Sequence, residues 1–167
     1  MSAKAIREYH AKKLVSKWID TYAGEVKYNI EERVVLIAAE SLTSYSSTLT
    51  KITDENPWLL TQPLVAKPDQ LIKRRGKAGL LSVNQPWPVV LEWIQNRMGK
   101  EVQVEQVSGV LDHFIVEPFV PHAQSEEYYV CMQTLRAHDE VLFYHCGGVD
   151  VGDVDAKGVR LEIPLGT

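Results

Sequence analysis

A chain of 167 residues, 45% hydrophobic and 24% charged, is long enough for one domain of ordinary size and too apolar for disorder. Its longest uninterrupted apolar run, Val34 to Ala39, is six residues, against the roughly 20 that a membrane-spanning helix needs. The net charge of −4 conceals a basic island: residues 67–77, KPDQLIKRRGK, carry +4, and taking that from the total leaves −8 elsewhere. A local island on an acidic body excludes general nucleic-acid affinity, which favours a broad basic face, and suits a small anion such as a nucleotide phosphate. A solvated basic loop fits the same composition.

The opening MSAKAIREYHAKK has no apolar stretch and is not a secretory signal. Residues 4–22 predict an amphipathic helix, with Ile6, Leu14, Val15, Trp18, Ile19 and Tyr22 on one face at three- and four-residue spacing. Residues 33–39 predict a buried strand, and the Ser/Thr-rich stretch 41–50 a loop. A short helix is expected from Asp54 to Leu60, entered through Asp54 as N-cap with Pro57 in its first turn. Leu64–Ala66 form a strand running into Lys67, and the glycines of 74–79 a loop before a return strand at 80–83. Pro86 and Pro88 start a helix whose apolar face is Trp87, Val90, Leu91, Ile94 and Met98, ending at Gly99. Strands follow at 102–107 and 114–120. A hairpin of 128–136 and 141–145 turns at Ala137-His138-Asp139 and is closed by Gly147-Gly148. The whole reads as one α+β domain over 1–167, with mixed or antiparallel sheets and flanking helices.

Familiar motifs fail on inspection. Gly76-Lys77 invites a Walker loop, but Leu71 stands at the first glycine and Ala78 at the hydroxyl residue. Asp153, Asp155 and Lys157 do not make an EF-hand. Cys131, His138, His145 and Cys146 lack zinc spacing, and two cysteines make no disulfide framework, which suits a reducing cytoplasmic setting. The five histidines form no recognisable triad.

What remains is a two-part candidate site. Lys67 at a strand end is rigidly placed, and Arg75 with Gly76 sits in a glycine loop where backbone N–H groups can approach an oxyanion. In IVEPFVPH (115–122), Pro118 and Pro121 interrupt a strand and free backbone groups for a base edge, although an edge strand with a proline bend reads the same way. Glu126 and Glu127 are either surface charges or acceptors for ribose hydroxyls.

The strings PWLL-TQPLVAKPDQLIKRRGKAGL, FIVEPFVPHAQSEEYYVC and GGVDVGDVDAK, in that order, closely resemble the N-terminal part of the ATP-citrate lyase family. RGKAG at 75–79 is also similar to the beta subunit of succinyl-CoA synthetase, and both are ATP-grasp proteins. The resemblance is strong over residues 56–157, weak over 23–55, and lost in the tail GVRLEIPLGT (158–167). It implies a partial ATP-grasp fold in which ATP is clasped by two α+β subdomains. It also implies phosphate contacts from Lys67, Arg75 and Gly76, adenine contacts from Pro118 and Val120 with Glu117 beside them, and ribose contact from Glu127. In the family the γ-phosphate passes to a histidine on a later domain and then to citrate. The citryl phosphate reacts with CoA, and cleavage gives acetyl-CoA and oxaloacetate. The acids that bind Mg2+, the phosphorylated histidine, and the citrate and CoA sites are expected outside this chain, in a parent that is oligomeric. Another acid–CoA ligase of the succinyl-CoA synthetase type, or a non-catalytic nucleotide-binding module, is the alternative.

Overall fold

Short apolar blocks punctuated by proline and glycine give short strands, and among the described residues every strand pair is antiparallel. The computed structural model describes residues 6–26, 28, 30–40, 47–70, 72, 75–76, 78–104, 106–148 and 151–166. These fall into two compact units, divided between Phe119 and Val120.

The larger unit contains α1 (Glu8–Tyr22), β1 (Val35–Ala38), α2 (Ser47–Glu55), a 3-10 turn (Pro57–Leu60), β2 (Leu64–Pro68) and β3 (Ser82–Gln85). After them come α3 (Trp87–Gln95), β4 (Glu101–Val104), β5 (Val107–Val110) and β6 (His113–Pro118). Its main sheet runs β1-β6-β2-β3, so β6 is inserted between two strands that precede it by many residues. Opposed residues share a face: Val35 with Val116, Ile37 with Phe114, and Ala66 with Val116. These side chains join Leu64 in packing against Trp87, Val90 and Ile94 of α3, together with Leu59, Leu80 and Leu111. The Trp93 ring meets Phe114 edge-on at 5.6 Å, a favoured aromatic geometry. The opposite face of the same sheet carries Lys67 and Glu117, and there α1 supplies Glu8 and Lys12.

Several local expectations change in the structure. The stretch 47–55 is helical, because Leu49 and Ile52 at helical spacing pack on the core, and burial outweighs the weak helix propensity of its Ser and Thr. Asp54 therefore lies inside a last turn and caps nothing, and Pro57 forces Asn56 to φ −133°, ψ 65°, which separates α2 from the 3-10 turn. The return strand starts at Ser82, two residues later than its apolar pattern begins. The alternating run 102–107 is two strands, β4 and β5, paired Val104 to Val107. Residues 41–46 of the Ser/Thr-rich loop lie outside the described residues.

The smaller unit is a three-stranded meander of β7 (Tyr129–Thr134), β8 (His138–Tyr144) and β9 (Val159–Pro164), with a 3-10 turn (Gln124–Glu126) and a short α4 (Val154–Lys157). The hairpin turns at 135–137, where the Leu135 N–H donates to the His138 carbonyl at 2.9 Å, so His138 and Asp139 belong to a strand. One face carries Glu140, buried and bonded by Arg160 at 2.5 Å and Gln133 at 2.7 Å. The other carries Val130, Met132, Phe143, Val159, Leu161 and Ile163, all exposed. Gly147 is required by close approach, since a Cβ there would lie 2.6 Å from the backbone of Tyr128.

Candidate functional site

Lys67 is the penultimate residue of β2, and its neighbours Ala66 and Pro68 are buried. Strand alternation therefore sends the Lys67 stem to the other face. β6 brings Glu117 to that face, opposite Val65 and diagonal to Lys67. The ammonium of Lys67 is 2.8 Å from Glu117 Oε1 and 2.7 Å from Glu8 Oε1. Arg75 reaches the same carboxylate from the glycine loop: its guanidinium donates to Glu8 Oε2 at 2.7 Å and to the Pro68 carbonyl at 2.7 Å. Lys12, one helical turn after Glu8, lies 3.2 Å from Glu8 Oε1 and also donates to Glu117 Oε2.

Three cations and two carboxylates thus form one half-buried network with a net charge of +1. Burial by itself would push the Glu8 carboxyl up, but Lys67 first, then Lys12 and Arg75, overcome it and hold the pKa at about 2. Burial likewise works against the Lys67 ammonium, yet Glu117 and Glu8 raise its pKa above the ordinary lysine value. Both groups stay fully ionised at neutral pH.

Neighbouring residues of the basic island serve the scaffold. Asp69 is buried, its N–H donates to the His113 carbonyl at 2.8 Å, and its Oδ1 accepts from the Tyr9 N–H at 3.3 Å, which ties the first turn of α1 to the end of β2. Gln70 bridges the Val110 carbonyl and the Asp112 N–H. Loop geometry at 75–80 is set by Gly79, at φ 67°, and by N–H donation from Leu80 to the Arg75 carbonyl at 2.9 Å and from Gly79 to the Gly76 carbonyl at 3.1 Å. Lys73, Arg74 and Lys77 lie outside the described residues.

The proposed adenine and ribose residues are divided by the unit boundary. Pro118 still occupies the ladder opposite Leu64 as the last residue of β6, and the Phe119 N–H just beyond it donates to the Pro63 carbonyl at 2.9 Å. In the smaller unit, His122 Nδ1 lies 2.7 Å from the Val120 carbonyl and Nε2 3.1 Å from Glu127 Oε1. The Val120 carbonyl first and the Glu127 carboxylate second raise the His122 pKa above its usual value. Glu126 is occupied differently, accepting from the Ala123 N–H at 2.7 Å as part of the turn.

The structure therefore brings Lys67, Arg75 and Glu117 together, keeps Gly76 in the adjoining turn, and sets Glu127 beside His122 and Val120. Glu117 engages the two lysines. Glu8 and Lys12 went unnoticed in the sequence, although Glu–Lys at i, i+4 in EYHAK is a recognisable helical pair. Among the described residues no group of three His, Cys, Asp or Glu side chains is placed to hold a metal ion, and no helix is long and apolar enough to cross a membrane.

Comparison with known proteins gives one consistent family. The model of the ATP-citrate synthase ATP-grasp domain matches residues 2–167, so it includes both the 23–55 stretch and the tail. ATP-citrate synthase of Bos taurus is 47% identical over 163 residues, which are 98% of this chain and 14% of that protein. Probable ATP-citrate synthase subunit 2 of Schizosaccharomyces pombe is 40% identical over 186 residues, covering 99% of this chain and 37% of that protein. Among solved structures, ATP citrate lyase from Methanothrix soehngenii in complex with citrate and coenzyme A is similar with a TM-score of 0.77 and 32% identity, over 98% of this chain and 36% of that one. The chain thus spans between about one seventh and two fifths of the length of these relatives.

Proposed function

The chain belongs to the ATP-citrate synthase ATP-grasp domain family, and from that premise we propose that it is the ATP-binding portion of an enzyme converting citrate, CoA and ATP to acetyl-CoA, oxaloacetate, ADP and phosphate. The observation that carries the reading is the convergence of Lys67 and Arg75, from a strand end and a glycine loop, on a single carboxylate. Two cations held that way suit a phosphate oxyanion, and phosphoryl transfer depends mainly on positioning and charge neutralisation. Gly76 lends the loop its close backbone approach. Pro118 and Val120 serve the adenine edge, Glu127 accepts from ribose hydroxyls, and Glu117 acts by orienting Lys67. Mg2+ accompanies ATP, with its ligands contributed from beyond this chain, as are the acceptor histidine and the citrate and CoA sites. The whole enzyme works in the cytoplasm as an oligomer and supplies acetyl-CoA for lipid synthesis.

Two measurements test this. Titration of the chain with ATP should show saturable binding, while citrate and CoA added with ATP should yield no oxaloacetate from the chain alone. In a full-length relative, the equivalent of Lys67→Met should weaken ATP binding or slow phosphorylation by roughly 10- to 100-fold, since a charge-assisted bond is worth about 1.5–3 kcal/mol. Lys73→Met, from the same basic stretch, should have little effect. Equal behaviour of the two variants would remove Lys67 from the site.

A further inference from the structure

Glu8 holds a position that nothing in the basic island foretold. Its two carboxylate oxygens meet all three cations of the network: Lys67 at 2.7 Å, Arg75 at 2.7 Å and Lys12 at 3.2 Å. Glu117, by comparison, touches two of them among the described residues, Lys12 and Lys67. A compact anion contacted at once by two ammonium groups and a guanidinium is the arrangement a phosphate oxyanion would adopt on the same side chains. The Glu8 carboxylate is held from the first turn of α1, which Asp69 ties to the end of β2 through the Tyr9 N–H.

We propose that Glu8 is an internal anionic occupant of the phosphate site. It keeps Lys67, Arg75 and Lys12 assembled while no nucleotide is bound, and it must give them up when a phosphate arrives. This rests on the reading of Lys67 and Arg75 as phosphate contacts. With Glu8 present the network carries +1, and a bound polyphosphate has to break three charge-assisted contacts before forming its own. Without the Glu8 charge the same network carries +2, and those contacts are no longer in competition. Glu8 is thus a residue that sets nucleotide affinity, acting against binding although it lies within the site.

The test is calorimetric titration of the full 167-residue chain with ATP, and separately with inorganic tripolyphosphate, comparing wild type with Glu8→Gln, Glu8→Asp and Lys67→Met. Tripolyphosphate isolates the cation cluster from adenine and ribose contacts. Glu8→Gln should bind both anions about tenfold more tightly, equivalent to about 1.4 kcal/mol. Glu8→Asp, whose carboxylate is drawn back by one methylene, should fall between it and wild type, and it decides the matter if the glutamine variant does not fold. If wild type binds and Lys67→Met does not, while both Glu8 variants bind no better than wild type or worse, Glu8 is a positioning residue and the competition is refuted. Failure of every variant to bind either anion would overturn the phosphate reading itself and the inference with it.

Discussion

Lys67→Met probes what the ammonium contributes to the fold as distinct from the ligand. The substitution keeps the stem and deletes a charge that sits 2.7 Å from Glu8 and 2.8 Å from Glu117, with the Lys67 side chain only 17% exposed. Breaking a fully buried pair costs about 3–5 kcal/mol because the orphaned partner stays desolvated. Here Glu8 keeps Arg75 and Lys12, and Glu117 keeps Lys12, so the expected loss is about 2–3 kcal/mol. That is a large share of the roughly 5–15 kcal/mol of a typical domain. All four tryptophans, at 18, 58, 87 and 93, lie in the larger unit, so urea unfolding followed by tryptophan fluorescence reports on the affected part. With a urea slope of about 2 kcal/mol per molar, the midpoint should fall by about 1–1.5 M. Adding Glu117→Gln should recover part of the loss, since it removes the carboxylate left short of a partner. An unchanged midpoint for Lys67→Met, or a double variant that is simply the sum of the singles, would refute a coupled network.

The Glu8 carboxyl, held at about 2 in the fold against 4.5 as its reference value, stabilises the chain above pH 4.5. That contribution is lost as pH falls from 4.5 toward 2, so Glu8→Gln should flatten acid unfolding over this window in circular dichroism. His122 has the opposite sign: its contribution is complete below the unfolded value and disappears as pH rises through the raised folded one. Glu127→Gln should lower the His122 midpoint in an NMR titration, leaving the part due to the Val120 carbonyl. Ile94→Ala, at a fully buried position of α3, should cost about 2–5 kcal/mol in the same urea assay. The exposed residues Met132, Phe143 and Leu161 on one face of the small sheet should drive association. Met132→Glu with Leu161→Lys should lower the mass seen by light scattering, and a monodisperse wild-type monomer would count against this.

Much of the larger unit was legible because its signals are local. Pro86 before Trp87, with apolar residues at 87, 90 and 94, gave α3 and its buried face. Leu64–Ala66 followed by Lys67 gave β2 and the direction of the lysine. Periodicity misled where tertiary contact decides. Leu14, Val15, Trp18 and Tyr22 read as the core face of α1, yet all are exposed, and the helix is seated through Glu8 and Lys12 instead. Nothing local announces an ion pair between residues 8 and 67, since its partners are about sixty positions apart. In the tail the signal was present and unused: Val159, Leu161 and Ile163 alternate as a strand should, and they form β9. The continuous alternation of 102–107 concealed a turn because its two halves keep the same period. As for the site, Lys67 and Arg75 were visible as cations in a basic island, but the carboxylates that neutralise them were not.

The insertion of β6 between β1 and β2 has a consequence for how the chain is made. Until β6 emerges, the first two main-sheet strands lack the partner they share, and only the β2–β3 pair can form by itself. About 45 residues separate the end of β2 from the start of β6, and synthesis at about 5–20 residues per second spreads that interval over roughly 2–9 s. During it, Val35, Ile37 and Leu64 are present without the strand that buries them. Glu117, the last charged member of the ionic network, arrives on that same strand. Closure of the core and completion of the cation cluster therefore fall together, once β6 has been made, so a nascent chain cannot assemble the five-residue network before its sheet is closed.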